Sequence, residues 1–452
     1  MRINQIVVKK LFGIFDYTIP LNQEDRITIL HGPNGSGKTT ILKLIDGLFN
    51  SKYSVLESVP FDSFQVLFDD DVTLEVIQYV EDQNGTPRKK NAEKVAILLR
   101  QGAKITEQFI FGDTHKIISA FYQQATTALN AATLEIFRKS FPQYNLQESF
   151  DVHSDIPGKV DTPKWLKSLQ DQFPVHFIET QRLLIYPSKP SKKSEALQPV
   201  ISKVTEYSEE LAKTIQTTLG HYASLSQSLD RTFPARLLNE NPAQSTSTEQ
   251  LLAKLKDLEA KRSYLQSAGL LEKGESVEFQ FPSTIDDRNK EVLGVYIQDV
   301  QKKLGVFDEI AAKLELFKKI INQRFRYKEM SISQEQGFTF RTSDGQPLSP
   351  SDLSSGEQHE LIFLYEFLFR VKPNSLILID EPEISLHIAW QEQFLQDLEQ
   401  IIELAQFDVI VSTHSPQIIY DRWDLTVELK GPEMNGKTAI INDEHPLPVP
   451  VA

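Results

Sequence analysis

One loop constrains this chain more than any other feature. Residues 31–40 read His-Gly-Pro-Asn-Gly-Ser-Gly-Lys-Thr-Thr and contain the spacing G-x-x-x-x-G-K-[ST]. An apolar run at residues 27–30 precedes the loop, and an amphipathic run at residues 40–45 follows it. In this strand–loop–helix context, the N–H groups of a glycine-rich turn and of a helix N-terminus point at phosphate oxygens. The sequence therefore predicts a phosphate-binding loop.

The residue types within the loop predict separate tasks. Lys38 is placed to reach the β- and γ-phosphates of a nucleotide, and the Thr39 hydroxyl is placed to bind Mg²⁺. The residues predicted to surround the phosphates are Gly32, Pro33, Asn34, Gly35, Ser36, Gly37, Lys38, Thr39 and Thr40.

Composition excludes several classes of chemistry. The chain has 452 residues and no cysteine, which rules out disulfides, thiol catalysis and cysteine-ligated metals. Its net charge of −14 argues against binding nucleic acid over the whole surface, although a local basic patch stays compatible with that charge. No apolar run approaches the ~20 residues of a membrane span. Residues 1–11 alternate like a strand and contain no apolar segment typical of a signal peptide. We therefore expect a cytoplasmic protein with no membrane partner.

The first 195 residues alternate in a way typical of strands. Strands are predicted at residues 5–8, 15–19 and 26–30, and a hairpin at residues 64–68 and 72–77. Three aspartates, Asp69 to Asp71, join the hairpin strands. We interpret them as a solvated turn rather than metal ligands, because consecutive turn residues point in different directions. An antiparallel sheet is expected up to Phe111, a helical stretch at 115–150, and a buried strand at 174–180.

Residues 196–330 carry apolar side chains every three or four positions, which predicts helices packed along their length. We call each such row of apolar positions a seam, and there are three. They are Val204, Tyr207, Leu211, Ile215, Leu219, Tyr222, Leu225 and Leu229; Leu251, Leu255, Leu258 and Leu265; and Val300, Leu304, Phe307, Ala311, Leu314 and Ile321. The first helix should run for about 26 residues. An ordinary helical bundle and a short projecting antiparallel coiled coil both fit, and the pattern favours the coiled coil.

A second group of chemical residues lies in the last hundred positions. An apolar strand at residues 375–379 ends in Asp380 and Glu381, where Asp380 can hold Mg²⁺ through water and Glu381 can act as a general base. A further apolar strand, beginning at residue 408, ends at His414, a candidate γ-phosphate contact. Residues 353–358, Leu-Ser-Ser-Gly-Glu-Gln, open a helix whose N-terminus offers N–H groups to an anion.

Together these motifs resemble an ABC-type ATPase, and more narrowly its SMC-like and OLD-like branch. The OLD-like features are Glu-Pro-Glu-x-x-Leu-His at residues 381–387 and Ser-Thr-His-Ser-Pro at residues 412–416. The resemblance implies an α/β fold: an ABC-type P-loop ATPase core with an antiparallel β subdomain and a helical, short coiled-coil insertion. The implied domains are residues 1–195, with the phosphate loop; 196–330, the insertion; and 331–452, with the signature, the Walker B strand and the switch histidine.

The resemblance also implies ATP and Mg²⁺ as ligands and assigns roles. Lys38, Glu381 and His414, the switch histidine, are the implied catalytic residues, and Thr39, Asp380 and Gln181 the implied metal ligands. Gln65 competes with Gln181 for the Q-loop role. The signature residues Ser354, Ser355, Gly356 and Glu357 would contact ATP bound to a second subunit, and residues 385–387 would form the D-loop at the dimer interface. Ser355 departs from the wider pattern, which has glycine there.

The partners implied are a second copy of the chain, in an ATP-bridged homodimer or larger homo-oligomer, and a separate effector. Only 38 residues of this sequence follow His414, so we expect no Toprim domain there. The chain then resembles the stand-alone ATPases of two-gene anti-phage systems, such as the ATPase subunits of Septu (PtuA) and PARIS (AriA). Those pair with an HNH or Toprim nuclease, and DNA or a phage protein is a candidate trigger.

Two other functions stay open. One is a DNA-maintenance ATPase of RecF/SMC type that grips DNA, with basic spots at Arg88-Lys89-Lys90, at Lys192-Lys193 and at Lys318-Lys319 with Arg324 and Arg326. The other is the nucleotide subunit of a transporter, which the long helical segment disfavours.

Overall fold

The computed structural model describes residues 2–81, 87–88, 94–112, 162–179, 203–239, 247–272, 287–384, 386 and 388–431. The strands are β1 (Ile3–Leu11), β2 (Phe15–Pro20), β3 (Ile27–His31), β4 (Ser63–Phe68), β5 (Val72–Glu81), β6 (Pro87–Arg88), β7 (Lys94–Gln101), β8 (Lys104–Gly112), β9 (Val175–Glu179), β10 (Lys328–Ser333), β11 (Gly337–Thr342), β12 (Pro347–Leu348), β13 (Leu376–Asp380), β14 (Asp408–Ser412) and β15 (Thr426–Glu428). The helices are α1 (Lys38–Phe49), α2 (Tyr53–Ser58), α3 (Lys164–Gln172), α4 (Lys203–Asn239), α5 (Thr248–Ser267), α6 (Asp287–Gly305), α7 (Asp308–Arg324), α8 (Ser355–Tyr365), α9 (Ile388–Gln391), α10 (Phe394–Ala405) and α11 (Pro416–Ile419).

The chain divides into two compact units. The first comprises Met1–Gln23, Thr28–Phe173 and Thr426–Ala452, and the second Glu24–Ile27 and Pro174–Leu425. Helices α4 to α7 thus belong to the same unit as β13 and β14. The three-part division predicted from the sequence stays a prediction.

The first unit contains an antiparallel sheet in the order β2-β1-β4-β5-β7-β8, with β6 paired to β5. One face of this sheet is buried, as the alternation predicts. In β4, Phe64 and Val66 are fully buried, while the alternate residues Ser63, Gln65 and Leu67 are partly exposed. The turn between β4 and β5 contains Asp71 in the left-handed region, at φ 58°. The predicted antiparallel sheet and the aspartate turn are therefore both present.

The same unit contains the phosphate loop. Strand β3 is buried over its first four residues and pairs in parallel with β15, so that Ile29 faces Thr426. Helix α1 begins at Lys38, directly after the loop, and buries Ile41, Leu44 and further apolar residues along one face. The predicted strand–loop–helix arrangement is what the chain forms.

In the second unit β13 lies between β9 and β14 and is parallel to both. Its four apolar residues are fully buried, and its last residue, Asp380, pairs with Ser412 at the end of β14. The prediction of a buried strand at 174–180 is only partly right. Strand β9 buries Val175, but the side chain of His176 is exposed on one face of the sheet. Among the described strands of this unit, β9 pairs only with β13.

The helices of the second unit match the predicted seams but not the predicted lengths. Helix α4 has 37 residues rather than about 26, and its buried residues end at Ile215. The third seam is divided between α6, which ends at Gly305, and α7, which begins at Asp308.

The Ser208 hydroxyl links α4 to β11. It accepts from the Phe338 N–H at 3.1 Å and donates to the Phe338 carbonyl at 2.8 Å. Helix α6 packs against both α4 and α5, but a coiled coil stays a prediction. No described helix is long and apolar enough to cross a membrane.

A buried cation joins three helices of this unit. The guanidinium of Arg324, at the end of α7, is ion-paired with Glu360 on α8 and with Asp397 on α10. The Arg324 side chain is 3% exposed and that of Glu360 is 1% exposed. Burial lowers the pKa of Arg324, against the effect of Asp397, and burial raises the pKa of Asp397, against the effect of Arg324. Arg324 is therefore not available to DNA, which corrects one of the predicted basic spots; Lys89, Lys90, Lys192 and Lys193 lie outside the described residues.

We expect Arg324→Met to lower the free energy of unfolding by about 3–5 kcal/mol, because it leaves two buried carboxylates without their cation. Urea unfolding followed by circular dichroism measures this. The matched control is Arg326→Met, an exposed arginine two positions later, which should cost about 0.5 kcal/mol or less. A triple variant, Arg324→Met with Glu360→Met and Asp397→Leu, should recover most of the loss, since no uncompensated charge remains. If Arg324→Met and Arg326→Met lowered the free energy of unfolding equally, the stabilising role of the Arg324 ion pairs would be contradicted.

Candidate functional site

The phosphate loop requires glycine at two positions for steric reasons. Gly32 has φ 152°, and a Cβ there would lie 2.8 Å from the Leu429 carbonyl oxygen. Gly37 has φ 90°, and its Cβ would lie 2.8 Å from the Leu11 side chain. A side chain at either position would therefore displace the backbone that the loop presents to its ligand.

Lys38 is already turned into the loop. Its side chain is almost fully buried, and Nζ donates to the carbonyls of Gly32 at 2.8 Å and Pro33 at 3.3 Å. The Ser36 hydroxyl oxygen is also buried and makes no hydrogen bond within the described part of the chain. A positive charge and a spare hydroxyl thus sit in a loop of the shape that binds phosphate.

Sequence reasoning missed one residue that supports the loop. The Tyr17 hydroxyl, on β2, donates to the Ser36 carbonyl at 2.9 Å. Burial raises the pKa of Tyr17 to about 12, so the hydroxyl stays protonated and remains a donor at neutral pH. Nothing in the local sequence signals this role beyond the alternation that turns Tyr17 inward, because the partner lies 19 positions away.

The strand ends of the second unit carry the acidic half of the candidate site. The Ser412 hydroxyl donates to Asp380 Oδ1 at 2.6 Å and so orients that carboxylate. Glu381 adopts the left-handed conformation at φ 48°, an uncommon one for a side-chain-bearing residue, and its N–H donates to the Ser412 carbonyl at 2.8 Å. Such strained residues cluster at functional sites.

His414 and Glu381 face each other at these strand ends. His414 Nε2 lies 3.9 Å from Glu381 Oε1, and each side chain is about one-third exposed. A second glutamate, Glu383, accepts from the Thr413 hydroxyl and from the His414 N–H, both at 2.9 Å. The sequence placed Glu383 within a motif but predicted no role for it.

The predicted signature, residues 353–358, lies at the N-terminus of α8 and caps that helix. Ser354 is the N-cap of α8, and a capping box links its hydroxyl and N–H to Glu357. Lys328 Nζ donates to both Glu357 oxygens, at 2.6 and 2.8 Å. Burial alone would raise the pKa of Glu357, but the hydrogen bonds from Lys328 and Ser354 outweigh it and hold the pKa below its usual value. The Glu357 carboxylate is thus engaged inside its own unit, while Ser354 and Ser355 are exposed.

The two Q-loop candidates differ in what can be said of them. Gln181 lies outside the described residues, as do Ser385 and His387 of the predicted D-loop. Gln65 is in β4, where its Nε2 donates to Glu75 Oε1 at 2.8 Å. Its amide is therefore paired within the antiparallel sheet, and the choice between the two glutamines stays open.

The predicted site residues belong to both units: the phosphate loop to the first, and Asp380, Glu381, His414 and the signature to the second. Among the described residues, no group of three or more histidine, aspartate or glutamate side chains is arranged to hold a metal ion. The roles of these residues toward one nucleotide and one Mg²⁺ therefore remain proposals.

Comparison with known proteins identifies the family. Residues 1–419 match the family model described as AAA ATPase domain. A segment of 84 residues is 36% identical to the Retron Ec83 probable ATPase of Escherichia coli; the match spans 16% of this chain and only 15% of that relative's length.

Solved structures that align with the chain include an Smc head domain from Pyrococcus furiosus bound to the C-terminal domain of ScpA, at 14% identity and a TM-score of 0.35, covering 92% of this chain and 91% of that one. Another is the SMC head domain of Thermotoga maritima, at 14% identity and a TM-score of 0.32, covering 95% and 94%. The family match spans nearly the whole chain and includes the phosphate loop, Asp380 and Glu381 after β13, His414 after β14, and the signature. The chain therefore belongs to the AAA ATPase domain family.

Proposed function

We propose that this chain binds ATP with Mg²⁺ and hydrolyses it, using the phosphate loop together with Asp380, Glu381 and His414. The observation that carries the proposal is the loop itself. It is already turned, it holds a buried lysine, and it opens α1 in a chain of an ATPase family.

The present contacts of Lys38 explain how the loop can bind a triphosphate without a change in its backbone conformation. Its ammonium group now donates to two loop carbonyls. Phosphate oxygens are charged acceptors, and hydrogen bonds between two charged groups are about twice as strong as neutral ones. Lys38 should therefore exchange its carbonyl partners for β- and γ-phosphate oxygens, while the loop N–H groups and the start of α1 bind the remaining oxygens.

The available donors suit Mg²⁺ bound mainly through the nucleotide. Mg²⁺ in such sites takes one or two protein oxygens and completes its shell with water and phosphate, so Thr39 and Asp380 suffice without a larger cluster. When bound, the ion neutralises phosphate charge. The Ser412 hydrogen bond fixes one oxygen of Asp380, and this limits the directions in which the carboxylate can point.

Glu381 is the better placed of the two neighbouring glutamates to act as a base. Its side chain is partly exposed, so water can reach it, and it faces His414. Glu383 has both carboxylate oxygens engaged with the β14 end. We assign Glu381 to polarising the attacking water and His414 to the γ-phosphate.

A second copy of the chain is proposed to complete the site. Ser354 and Ser355 are exposed at the start of α8, and a Cβ built on Gly356 would meet nothing within 4 Å. This open N-terminus could receive the γ-phosphate of ATP bound to another molecule. ATP would then close a homodimer, and loss of the γ-phosphate would open it.

We further propose that this cycle controls a separate effector, a nuclease of HNH or Toprim type, in anti-phage defence. The short match to an ATPase of a retron supports a role within a multi-component system. The alternative of a DNA clamp has less support, because Arg324 is buried in ion pairs.

We expect Glu381→Gln to bind ATP but to hydrolyse it about 10²–10⁴-fold more slowly, the usual contribution of a general base, and to accumulate as a dimer. Lys38→Met should fail to bind ATP, because the ammonium is lost. Native mass spectrometry with and without ATP, together with phosphate release, measures both. The control is Glu403→Gln, an exposed glutamate on α10, which should behave as the parent. Parental hydrolysis by Glu381→Gln would show that the base is another group.

Tyr17→Phe tests the support of the loop. The substitution keeps the ring that stacks on Phe15 at 5.6 Å but removes the donor to Ser36. Without this hydrogen bond the free loop is no longer held in its turned conformation, and ATP binding must restore it. At a cost of about 1 kcal/mol, the Kd for ATP should rise about fivefold. Isothermal titration calorimetry measures this. Tyr53→Phe is the matched control, since Tyr53 is equally buried and its hydroxyl bonds to Thr162 at 3.0 Å, away from the loop; its Kd for ATP should not change.

The effector proposal predicts that a gene beside the one for this chain encodes a nuclease or toxin, and that the two products copurify when coexpressed. ATP should change the stoichiometry of the complex with the parent and leave it unchanged with Lys38→Met. Size-exclusion chromatography with light scattering measures this. A gene neighbourhood without such a partner would count against the role.

A further inference from the structure

The two loops that follow β13 and β14 are joined by hydrogen bonds through one carboxylate. Glu383 Oε2 accepts from the Thr413 hydroxyl, and Oε1 accepts from the His414 N–H. Thr413 is fully buried, and its hydroxyl oxygen also accepts from the Ser415 N–H at 3.0 Å. Glu383 therefore holds the backbone N–H of His414 and the side-chain hydroxyl of Thr413.

Gln391, on α9, closes these hydrogen bonds into a ring that passes through Glu383, Thr413, Ser415 and Gln391. Its Oε1 accepts from the Ser415 hydroxyl at 3.3 Å, and its Nε2 donates to the Glu383 carbonyl at 3.1 Å. The same Nε2 donates to the Leu386 carbonyl at 3.2 Å. Gln391 is 7% exposed, and a buried polar side chain with both ends satisfied fixes its surroundings.

Glu381 and Glu383 are two positions apart but contact different parts of His414. Glu381 faces the histidine side chain at 3.9 Å, whereas Glu383 holds the histidine backbone. A displacement of about 1 Å in a catalytic geometry can cost about 10²-fold in rate. The atoms that fix His414 N are therefore expected to matter for hydrolysis without touching the nucleotide.

We infer that Glu383, braced by Gln391, is a positioning residue that sets the distance between His414 and Glu381. The inference rests on the proposed ATP hydrolysis and extends it.

The test compares two substitutions of Glu383. Glu383→Met removes both acceptors and should lower kcat for ATP about 10- to 100-fold while leaving KM within about twofold. Glu383→Gln can still accept from the His414 N–H with its oxygen and can donate to Thr413 Oγ1 with its nitrogen. It should therefore keep kcat within about threefold of the parent. A general base would be lost in both variants, as it is in Glu381→Gln, so the rescue by glutamine distinguishes positioning from base catalysis.

A double-substitution cycle shows whether Glu383 acts through His414. In a His414→Ala background, Glu383→Met should cause no further loss of kcat, because the residue that it positions is gone. Gln391→Met is the second way to break the ring and should lower kcat in the same direction, even where Glu383→Met fails to fold. Thermal unfolding of each variant reports on folding.

Hydrogen–deuterium exchange of residues 413–415, measured without nucleotide, tests the ring independently of catalysis. Protection should be lost in Glu383→Met and kept in Glu383→Gln. The inference is overturned if Glu383→Gln is as slow as Glu381→Gln, if Glu383→Met hydrolyses at the parental rate, if the cycle is additive, or if protection is unchanged in Glu383→Met. If the parent itself hydrolyses no ATP, the proposed function fails, and the exchange result alone decides whether the ring exists.

Discussion

Binding a phosphate with backbone N–H groups requires a chain that turns against the preference of L-residues, and a left-handed backbone occurs in both halves of the candidate site. In the first unit the turn uses Gly32 and Gly37, whose Cβ atoms would collide with neighbours. In the second unit Glu381 itself adopts the left-handed conformation, held by the Ser412 carbonyl. The first half avoids backbone strain by omitting side chains. The second carries a side chain in this conformation, which costs of order 1–3 kcal/mol, at the glutamate that we propose as the base.

The sequence predicts those parts of the structure that depend on local patterns. The phosphate loop, the hairpin around Asp71 and the strand ending at Asp380 were all predicted, because spacing and two-residue alternation are properties of neighbouring positions. The ATPase assignment is confirmed by the family match, and the α/β fold with an antiparallel sheet is present. Lengths and edges were less predictable. The local pattern does not indicate that His176 is exposed, and the break after Gly305 interrupts a seam whose period continues across it.

The supporting residues of the site were not predictable, for the opposite reason. Tyr17 and Ser36 are 19 positions apart, Glu383 and Thr413 are 30 apart, and Ser415 and Gln391 are 24 apart. Each pair forms only after strands or helices have packed, and a single sequence contains no signal that links its members. The motif indicated which residues could react with a nucleotide, whereas the hydrogen bonds that hold those residues in place became visible only in the fold.

The second unit holds helix α8, which begins at the predicted signature, by two ion pairs that differ in burial. Arg324 ties α7 to α8 through a pair that is almost fully buried, and separating it would leave uncompensated charges at a cost of about 3–5 kcal/mol. The start of α8 is held by the Ser354 cap, worth about 1 kcal/mol, and by the Lys328–Glu357 pair, whose lysine is 23% exposed. Helices α7 and α8 should therefore move as one body, while the cap and its lysine rearrange. If ATP binds at Ser354 and Ser355 as proposed, its effect on α8 would reach α7 through Arg324.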